Sequence, residues 1–357
     1  MAKVAVLPGD GIGPEIIEAA LPVIEAAARK ASLKLEFTHA LVGGAAYDAT
    51  GHPLPPATLK LCDASDAIYF GSVGGPKYDK IPDPNLRPER GALLPLRKRY
   101  TLYANVRPAV VYPGLEQRSA VKADRITGMD MLVVRELVGG AYFGKKELKK
   151  DSAYDVISYD RKQIERVLHF AFDAAMGRKK RLTLVHKANV LLTSVLWKQV
   201  WDRVRVKYPK VKVDDCYVDA FTMYLISRPT DYDVVVTENM MGDIITDEAA
   251  QVTGSIGLIP SASLGPRKTR HGVFGLFEPS HGSAPDIAGK GIANPLATIL
   301  SGALMLRYSF KAEKAAARVE AAVRKVLAKG LRTGDLAGAK GKALGTRAMA
   351  QAVLKAL

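Results

Sequence analysis

The stretch DVVVTENMMGDIITDE, from Asp233 to Glu248, decides the fold. Its apolar run, Asp233 to Thr237, predicts a buried strand of a parallel sheet. If a helix begins near Met241, the spacing of Asp243 and Asp247 places both carboxylates on one helix face, about one turn apart. A hard divalent cation with oxygen ligands, such as Mg²⁺, would offset their repulsion. Open α/β sheets bind ligands at the carboxyl ends of their strands, which is where this pair lies. Two aspartates at this spacing, taken alone, are more often part of a solvated helix face.

Length and composition predict one large or two medium domains. The chain has 357 residues and is 48% hydrophobic, and about 100–200 residues per domain is usual. No apolar run approaches the roughly 20 residues that cross a bilayer, and the start MAKVAVLPGDG does not resemble a signal peptide. The two cysteines, Cys62 and Cys216, lack metal-type spacing, so we expect a reduced, cytoplasmic protein without a membrane segment.

The chain is strongly basic, with a formal net charge of +16 and a pI near 9.6. Such a charge raises the question of nucleic acid. The basic residues are scattered, however, and no zinc-finger spacing or RNP-like sequence accompanies them. We therefore expect solvated basic faces that attract anionic small molecules, and no nucleic-acid partner.

Short apolar runs alternate with segments of helical period along the whole chain, which predicts an α/β fold with a large, mostly parallel sheet. The predicted strands are Val4–Leu7, Ala67–Phe70, Met131–Val134, Leu182–His186, Val211–Tyr217 and Val234–Thr237. The predicted helices are Pro14–Lys30, Arg161–Met176, Val190–Val206, Ala220–Ser227, Ile244–Val252, Pro295–Tyr308 and Ala312–Lys329. Composition alone marks no domain boundary.

The N-terminal segment LPGDGIGPE carries Gly9, Gly11 and Gly13 after a predicted strand, and Pro14 suits the first turn of a helix. This G-x-G-x-G spacing is not the G-x-G-x-x-G dinucleotide fingerprint, and no convincing acidic residue ends a second strand about 20 residues on. We therefore predict a fold other than the Rossmann fold. The segment alone is equally consistent with a tight turn and with a phosphate or cofactor loop.

Several side chains that follow predicted strands could carry chemistry. Guanidinium groups pair bidentately with carboxylates, so three arginines within 40 residues would suit a dicarboxylic substrate if they converged: Arg97, Arg107 and Arg135. Tyr142 and Lys187 are candidates for proton transfer. Asp219 could supply a third oxygen ligand beside the acidic pair, or could simply cap a helix.

The segment HGSAPDIAGKGIANP, His281 to Pro295, combines small residues, two prolines and a single acid before a predicted helix. That composition lets a backbone approach a flat ligand closely. Asp286 could accept hydrogen bonds from a ribose diol, as the acidic residue does in other NAD sites. The pattern alone could also be an ordinary glycine-rich loop.

Eight motifs follow one another in the order LPGDGIGPE, RPERGALLPLRK, VRELVGGAYFG, KANV, YVDA, GDIITDE, SASLG and HGSAPDIAGKGIANP. With them the chain resembles the isocitrate/isopropylmalate family of β-decarboxylating dehydrogenases, from Val4 to about Ala337. The resemblance implies a two-domain α/β fold. Residues 1–102 and 254–357 would form the first, NAD-binding domain. Residues 103–253 would form the second domain, with an arm near 145–160 that contributes to a homodimer.

The resemblance also implies a role for each candidate residue. Arg97, Arg107 and Arg135 would hold the malate carboxylates, Lys187 would accept the hydroxyl proton, and Tyr142 would return a proton after decarboxylation. Asp219, Asp243 and Asp247 would bind Mg²⁺ or Mn²⁺ together with the substrate, with Lys187 and Asp219 supplied by the partner subunit. The implied NAD contacts are Gly75, Glu89, His281, Gly282, Ser283, Ala284, Asp286, Ile287, Asn294 and Asp335.

Leu93 and Leu94, beside Arg97, distinguish between the substrates of this family. Burying a carboxylate against two leucines would be costly, so an isopropyl group fits better than the γ-carboxylate of isocitrate or homoisocitrate. Asp286 and Ile287 favour NAD over NADP. The resemblance thus implies NAD-dependent oxidative decarboxylation of 3-isopropylmalate in leucine biosynthesis, with D-malate or tartrate as the alternative substrates. His186 departs from the family pattern, which has an aspartate at that position.

Overall fold

The fold is built on a mixed sheet. The computed structural model describes residues 1–338 and 341–357. Its strands are β1 Ala2–Gly9, β2 Leu35–His39, β3 Ala67–Ser72, β4 Ala104–Val110, β5 Asp130–Glu136, β6 Lys146–Leu148, β7 Ala153–Asp155, β8 Arg181–His186, β9 Lys212–Tyr217, β10 Val234–Thr237, β11 Pro260–Lys268 and β12 Val273–Pro279. Over the described residues, ten of them form one sheet in the order β2-β1-β3-β12-β11-β4-β5-β10-β8-β9, and β6 pairs with β7 as a separate ribbon.

The two ends of the large sheet are parallel and its middle is antiparallel. β2, β1, β3 and β12 run parallel to one another, as do β5, β10, β8 and β9. Between them, β11 pairs antiparallel with β12 and β4, and β4 pairs antiparallel with β5. The α/β class with a large, mostly parallel sheet and without a Rossmann arrangement is therefore confirmed.

Helices cover the sheet. They are α1 Gly13–Arg29, α2 Gly43–Thr50, α3 Pro56–Asp63, α4 Leu94–Arg99, α5 Ala123–Ile126, α6 Arg161–Met176, α7 Leu192–Arg205, α8 Val218–Ser227, α9 Asn239–Thr253, α10 Leu296–Tyr308, α11 Glu313–Ala328, α12 Gly334–Ala337 and α13 Thr346–Ala356. Each predicted helix and strand overlaps an observed one of the same type. Within the described parts of the chain, no helix is both long and apolar enough to cross a membrane.

The antiparallel centre of the sheet was not predicted from the sequence. β4 and β11 carry polar side chains at fully buried positions, namely Asn105, Ser261 and Ser263. The Asn105 amide donates to the hydroxyls of Ser261 at 2.8 Å and Ser263 at 3.1 Å. Because these groups satisfy one another's hydrogen bonds across the paired strands, the strands tolerate buried polar residues. A search for apolar runs therefore does not detect β4 and β11.

Candidate active site

The acidic pair lies on α9, directly after β10. The helix begins at Asn239, two residues before the predicted start, because the Glu238 side chain caps it by accepting the Met241 N–H at 2.6 Å. Asp243 and Asp247 still fall on one face. Asp243 is partly buried and Asp247 is exposed, so a ligand can reach the pair from solvent.

Two arginines from neighbouring antiparallel strands point at this pair. Arg135, at the end of β5, forms an ion pair with Asp243. Arg107, on β4, places Nη1 at 3.7 Å from Asp243 Oδ1 and 3.9 Å from Asp247 Oδ1. The arginine side chains are only 1% and 7% exposed. In the described chain, these guanidinium groups neutralise the carboxylates that the sequence identified as candidate metal ligands.

Polar side chains fix both guanidinium groups from behind. Arg135 Nε donates to Asn239 Oδ1 at 2.9 Å. Arg107 Nε donates to Asn105 Oδ1 at 2.9 Å, and its Nη1 donates to the hydroxyl of Thr246 at 2.7 Å. Buried, hydrogen-bonded guanidinium groups lose little further entropy when a ligand binds, so the arginines are pre-organised.

Arg97, the third predicted arginine, lies on α4 and pairs with Glu278 of β12. Its Nη2 lies 3.0 Å from Glu278 Oε1, and both side chains are less than a tenth exposed. Burial is the main cause that lowers the pKa values of Arg107 and Arg135, and the charge of Arg97 contributes to both. The three arginines are therefore close enough to interact electrostatically.

Burial and the neighbouring charges shift the pKa values of the residues in the cluster. Burial, and next the charge of Arg107, lowers the pKa of Arg135 to about 10. Burial disfavours the ionised form of Asp243, but Arg135 and Arg107 together outweigh it and lower its pKa. Burial raises the pKa of Asp247. With Glu278 included, three carboxylates face three guanidinium groups, so the formal charges of the cluster balance.

The feature of the cluster that favours an anionic ligand is a set of buried donor atoms without partners. Among the described residues, Arg97 Nε and Arg135 Nη2 are inaccessible to solvent and have no hydrogen-bond acceptor. Leaving a buried charged donor unpaired costs about 1–3 kcal/mol or more. A ligand carboxylate would satisfy such donors, because it offers several acceptor sites.

Tyr142 borders the cluster. Its hydroxyl donates to Asp243 Oδ2 at 2.8 Å, and Arg135 lies over its ring at 5.5 Å from the centroid. Burial, and next the hydrogen bond to the Asp243 carboxylate, raises the pKa of Tyr142 to about 12. The phenol therefore keeps its proton at neutral pH.

An open cavity of about 740 Å³, with both apolar and basic walls, reaches Tyr142, and the three arginines of the cluster are not among its lining residues. Tyr142 and Leu94 line it, together with Leu54, Leu59, Lys98 and Arg99 among others. Leu93, the other leucine predicted to contact substrate, is half-buried against the apolar cluster below β1 and β3. Leu94 is thus the member of the pair that faces this cavity.

Lys187 and Asp219 form a pair of their own. They follow β8 and β9, and Lys187 Nζ lies 2.7 Å from Asp219 Oδ1. The hydrogen bond from Lys187 lowers the pKa of Asp219. Across residues 1–338 and 341–357, no three acidic, histidine or cysteine side chains gather as a metal site. One chain therefore does not bring Asp219 to Asp243 and Asp247.

The N-terminal glycines support the His281–Asn294 segment. The Ile12 N–H donates to the Ser283 carbonyl at 2.8 Å, and a Cβ on Gly11 would lie 2.0 Å from that oxygen. The Ser283 hydroxyl donates to the Gly74 carbonyl at 2.9 Å. The structure thus supports the tight-turn interpretation of LPGDGIGPE, with close packing against a second loop as the reason for glycine.

The other predicted cofactor residues lie in this segment or in neighbouring parts of the chain. Asn294 Nδ2 donates to Asp335 Oδ2 at 2.9 Å, and Asp286 is exposed. His281 Nε2 is buried without a partner among the described residues, and burial lowers the pKa of this ring. Gly282, Ser283, Ala284 and Ile287 lie in the same segment, with Gly75 and Glu89 on the neighbouring side near Gly74.

The sequence did not identify several residues that hold the site together. Asn105, Asn239 and Thr246 hold the arginines, and Glu278 neutralises Arg97. Most of these four residues lie in the motifs NVRP, ENMMGD and FEPSHG, and these motifs are the sequence signal that could have identified them. Asp10 was also missed. It is buried, and it accepts the N–H groups of Gly44, Ala45 and Gly74 at 2.7, 2.7 and 2.8 Å, so it joins three segments beside the glycine turn.

Fold and site together define an α/β protein in which three buried arginines face carboxylates of α9 and β12. The family model described as isocitrate/isopropylmalate dehydrogenase matches residues 3–353. The chain belongs to this family, and it is therefore a dehydrogenase.

Two groups of relatives support the assignment. The chain is 53% identical to a 3-isopropylmalate dehydrogenase of Moorella thermoacetica, covering 100% of this chain and 99% of the relative. It is 54% identical to one of Mannheimia succiniciproducens, covering 94% of each. Among solved structures, isocitrate dehydrogenase from Methylococcus capsulatus superposes with a TM-score of 0.87 at 38% identity, covering 100% of this chain and 99% of that one.

Proposed function

We propose that the protein catalyses the NAD⁺-dependent oxidative decarboxylation of (2R,3S)-3-isopropylmalate to 4-methyl-2-oxopentanoate and CO₂, a step of leucine biosynthesis. The observation that carries this proposal is the convergence of three buried arginines, with unpaired donor atoms, beside a cavity that Leu94 lines. Relatives more than 50% identical carry the name of this activity.

Charge and polarity support this substrate. Its two carboxylates would pair with the guanidinium groups of Arg97, Arg107 and Arg135. Guanidinium groups donate two hydrogen bonds to one carboxylate in a bidentate geometry. Its isopropyl group needs an apolar wall. Leu94 would form that wall, and Leu93 would pack behind it against the core. An isocitrate γ-carboxylate would lose its hydration against these leucines without gaining a partner from them.

Two residues would move protons. As the C2–H bond delivers a hydride to NAD⁺, Lys187 takes the hydroxyl proton and C2 becomes a ketone. The bond to the β-carboxylate then breaks, CO₂ leaves, and its electron pair forms an enolate. Tyr142, which is protonated at neutral pH, gives its phenol proton to the enolate carbon.

The donor set fits a hard divalent cation. Asp243 and Asp247 offer oxygen ligands one helical turn apart, which suits Mg²⁺ or Mn²⁺. Asp219 would be the third protein ligand, and since one chain does not bring it there, we assign it to the partner subunit. Such an ion would polarise the substrate oxygen and offset the charge of the enolate.

The segment from His281 to Asn294 fits a dinucleotide. The unpaired, buried His281 Nε2 is a polar atom available to an adenine, and exposed Asp286 is available to a ribose diol. A carboxylate at that position also repels a 2′-phosphate, which favours NAD over NADP. Gly75 and Glu89 lie on the side proposed for the nicotinamide.

A two-domain homodimer accounts for the remaining features. The proposed domains are residues 103–253 and residues 1–102 with 254–357. Two apolar clusters fall largely within one proposed domain each, while the main apolar cluster includes residues of both. Apolar side chains on α8, α9 and the β6–β7 arm are exposed, including Met223 at 63%, Ile244 at 60% and Leu148 at 85%. Such patches mark interfaces, and we propose that they meet across a twofold axis.

The test is a side-by-side assay of NADH production with Mg²⁺ or Mn²⁺. The purified protein is given 3-isopropylmalate, D-malate, tartrate, isocitrate or homoisocitrate at matched concentrations. We expect the largest kcat/KM with 3-isopropylmalate, preference for NAD⁺ over NADP⁺, and loss of activity in excess chelator. Faster turnover of D-malate or tartrate would contradict the substrate assignment, and undiminished activity with chelator would contradict the metal.

A matched pair of variants tests the pocket. Leu94→Asn places a polar group in the cavity wall and should lower kcat/KM for 3-isopropylmalate relative to D-malate by at least about tenfold, since mismatched pocket groups cost about 1–3 kcal/mol. Leu59→Asn alters another wall residue of the same cavity, away from α4, as the control. An unchanged ratio in Leu94→Asn would remove the apolar-pocket argument.

A further inference from the structure

His186 is a buried histidine whose two ring nitrogens both have partners. The residue ends β8 and is 3% exposed. Its Nε2 lies 2.9 Å from Asp215 Oδ2, and its Nδ1 accepts the N–H of Ala188 at 3.1 Å. Lys198 reaches the other oxygen of Asp215 at 2.7 Å. The ring therefore connects a charged pair on one side to the backbone of the Lys187 turn on the other.

These contacts select one tautomer. A backbone N–H can only donate, so Nδ1 must present a lone pair to Ala188. The remaining proton then lies on Nε2, where the Asp215 carboxylate accepts it. A hydrogen bond at one ring nitrogen commonly fixes the other in this way. An aspartate at position 186 could accept from Ala188, but it would repel the Asp215 carboxylate.

The neighbouring contacts involve both members of the Lys187–Asp219 pair. The Lys187 N–H donates to the Ser194 hydroxyl at 3.1 Å, and the Lys187 carbonyl accepts the N–H groups of Val190 and Leu191. Tyr217 packs edge-on against the His186 ring, with centroids 5.2 Å apart, and it directly precedes α8, which carries Asp219. His186 thus lies between the backbone segments that present Lys187 and Asp219.

We propose that His186, in its Nε2–H form, is a positioning residue that holds Lys187 and Asp219 as one preassembled unit. Lys198 and Asp215 fix the ring, the ring fixes the Ala188 N–H, and the turn then directs Lys187 Nζ to Asp219. The role of this unit in proton transfer rests on the proposed function. The geometry of the unit is independent of that proposal.

Two isosteric variants separate the contacts of the ring. In His186→Asn, the amide oxygen takes the place of Nδ1 and can still accept from Ala188. In His186→Gln, the amide nitrogen takes the place of Nε2 and can still donate to Asp215, but the Ala188 contact is lost. His169→Asn is the control, because His169 is a partly exposed histidine that also makes one side-chain hydrogen bond, to Tyr208.

We expect His186→Asn and His169→Asn to keep kcat for 3-isopropylmalate within about threefold of the wild type. His186→Gln should lower kcat by about 10- to 100-fold, with KM changed less than about threefold, because a small misplacement of a proton-transfer group can cost this much. A merely structural role would lower the denaturation midpoints of both His186 variants and leave kcat unchanged. Equal kcat values for the two His186 variants would overturn the proposal.

A second measurement uses the wild-type protein and needs no turnover. Nitrogen NMR of protein labelled at its six histidines distinguishes protonated from unprotonated ring nitrogens, and the His186 signals are those lost in His186→Asn. We expect a protonated Nε2 and an unprotonated Nδ1. A proton on Nδ1 would overturn the proposal whatever the enzyme's substrate is. A wild type inactive on 3-isopropylmalate would refute the proposed function alone.

Discussion

If the Lys187–Asp219 unit acts in the partner's site, two inactive variants should restore activity to each other. Lys187→Met removes the amine from one variant, and Asp247→Asn removes a carboxylate from the other. Asp247 suits this purpose because its side chain is 65% exposed and lies 3.9 Å from Arg107, so its loss leaves no buried charge unpaired. Each variant alone should lose at least about 100-fold in kcat.

The size of the recovery follows from the arrangement of the sites. In a mixed dimer, one site combines Lys187 of one subunit with Asp247 of the other, and both are intact. The second site carries both substitutions. If subunits assort at random, half of the dimers are mixed, so the preparation should regain about a quarter of wild-type kcat per site in a twofold-symmetric dimer.

The assay is co-expression of the variants with different affinity tags, two-step purification of the mixed dimer, and measurement of NADH production. The purified mixed dimer should reach about half of wild-type activity per chain, since one of its two sites is intact. Wild-type protein carrying both tags is the control. Activity no higher than the sum of the separate variants would refute the shared site, as would a monomer by light scattering.

Three further predictions concern named contacts. Glu278→Ala leaves the buried Arg97 unpaired and should lower the free energy of unfolding in urea by about 3–5 kcal/mol, whereas a change below about 0.5 kcal/mol would disprove the pairing. Gly11→Ala should raise KM for NAD⁺ by at least about tenfold because its Cβ would meet the Ser283 carbonyl. Gly177→Ala, which meets only ordinary contacts, is its control. Burial raises the pKa of Glu136 to about 7, so the folded state binds the proton more tightly than the unfolded state. Unfolding free energy should then fall between about pH 4.5 and pH 7 by at most about 3 kcal/mol, and Glu136→Gln should remove most of that slope.

Local patterns predicted the outer parts of the fold well. Runs such as Val234–Thr237 are apolar on both faces, and Arg161–Met176 has clear helical spacing, so each one indicates its own structure. The centre of the sheet could not be found in this way. Strands β4 and β11 are stabilised by contacts between buried polar groups, such as Asn105 with Ser261, that are 156 residues apart in the chain.

The sequence predicted the charged residues of the site but not the residues that hold them in place. Arg97, Arg107 and Arg135 could be identified because they lie within 40 residues of one another and guanidinium groups pair bidentately with carboxylates. Glu278 lies 181 residues from Arg97, and no local spacing relates the two. The separation of Lys187 and Asp219 from the acidic pair likewise depends on the three-dimensional fold, although the family resemblance had already placed them in the partner's site.

The order of strands in the sheet has a consequence for synthesis of the chain. β3 needs β12 as its neighbour, and Ile68 pairs with Leu276, which is made about 200 residues later. At bacterial-scale rates of about 5–20 residues per second, the early strands wait roughly 10–40 seconds for that partner. The final helix α13 packs on α1, and Arg347 reaches Glu18 at 2.8 Å. The packing around α1 is therefore completed only after α13 has been made, while the region from β4 to α9 has an apolar cluster of its own.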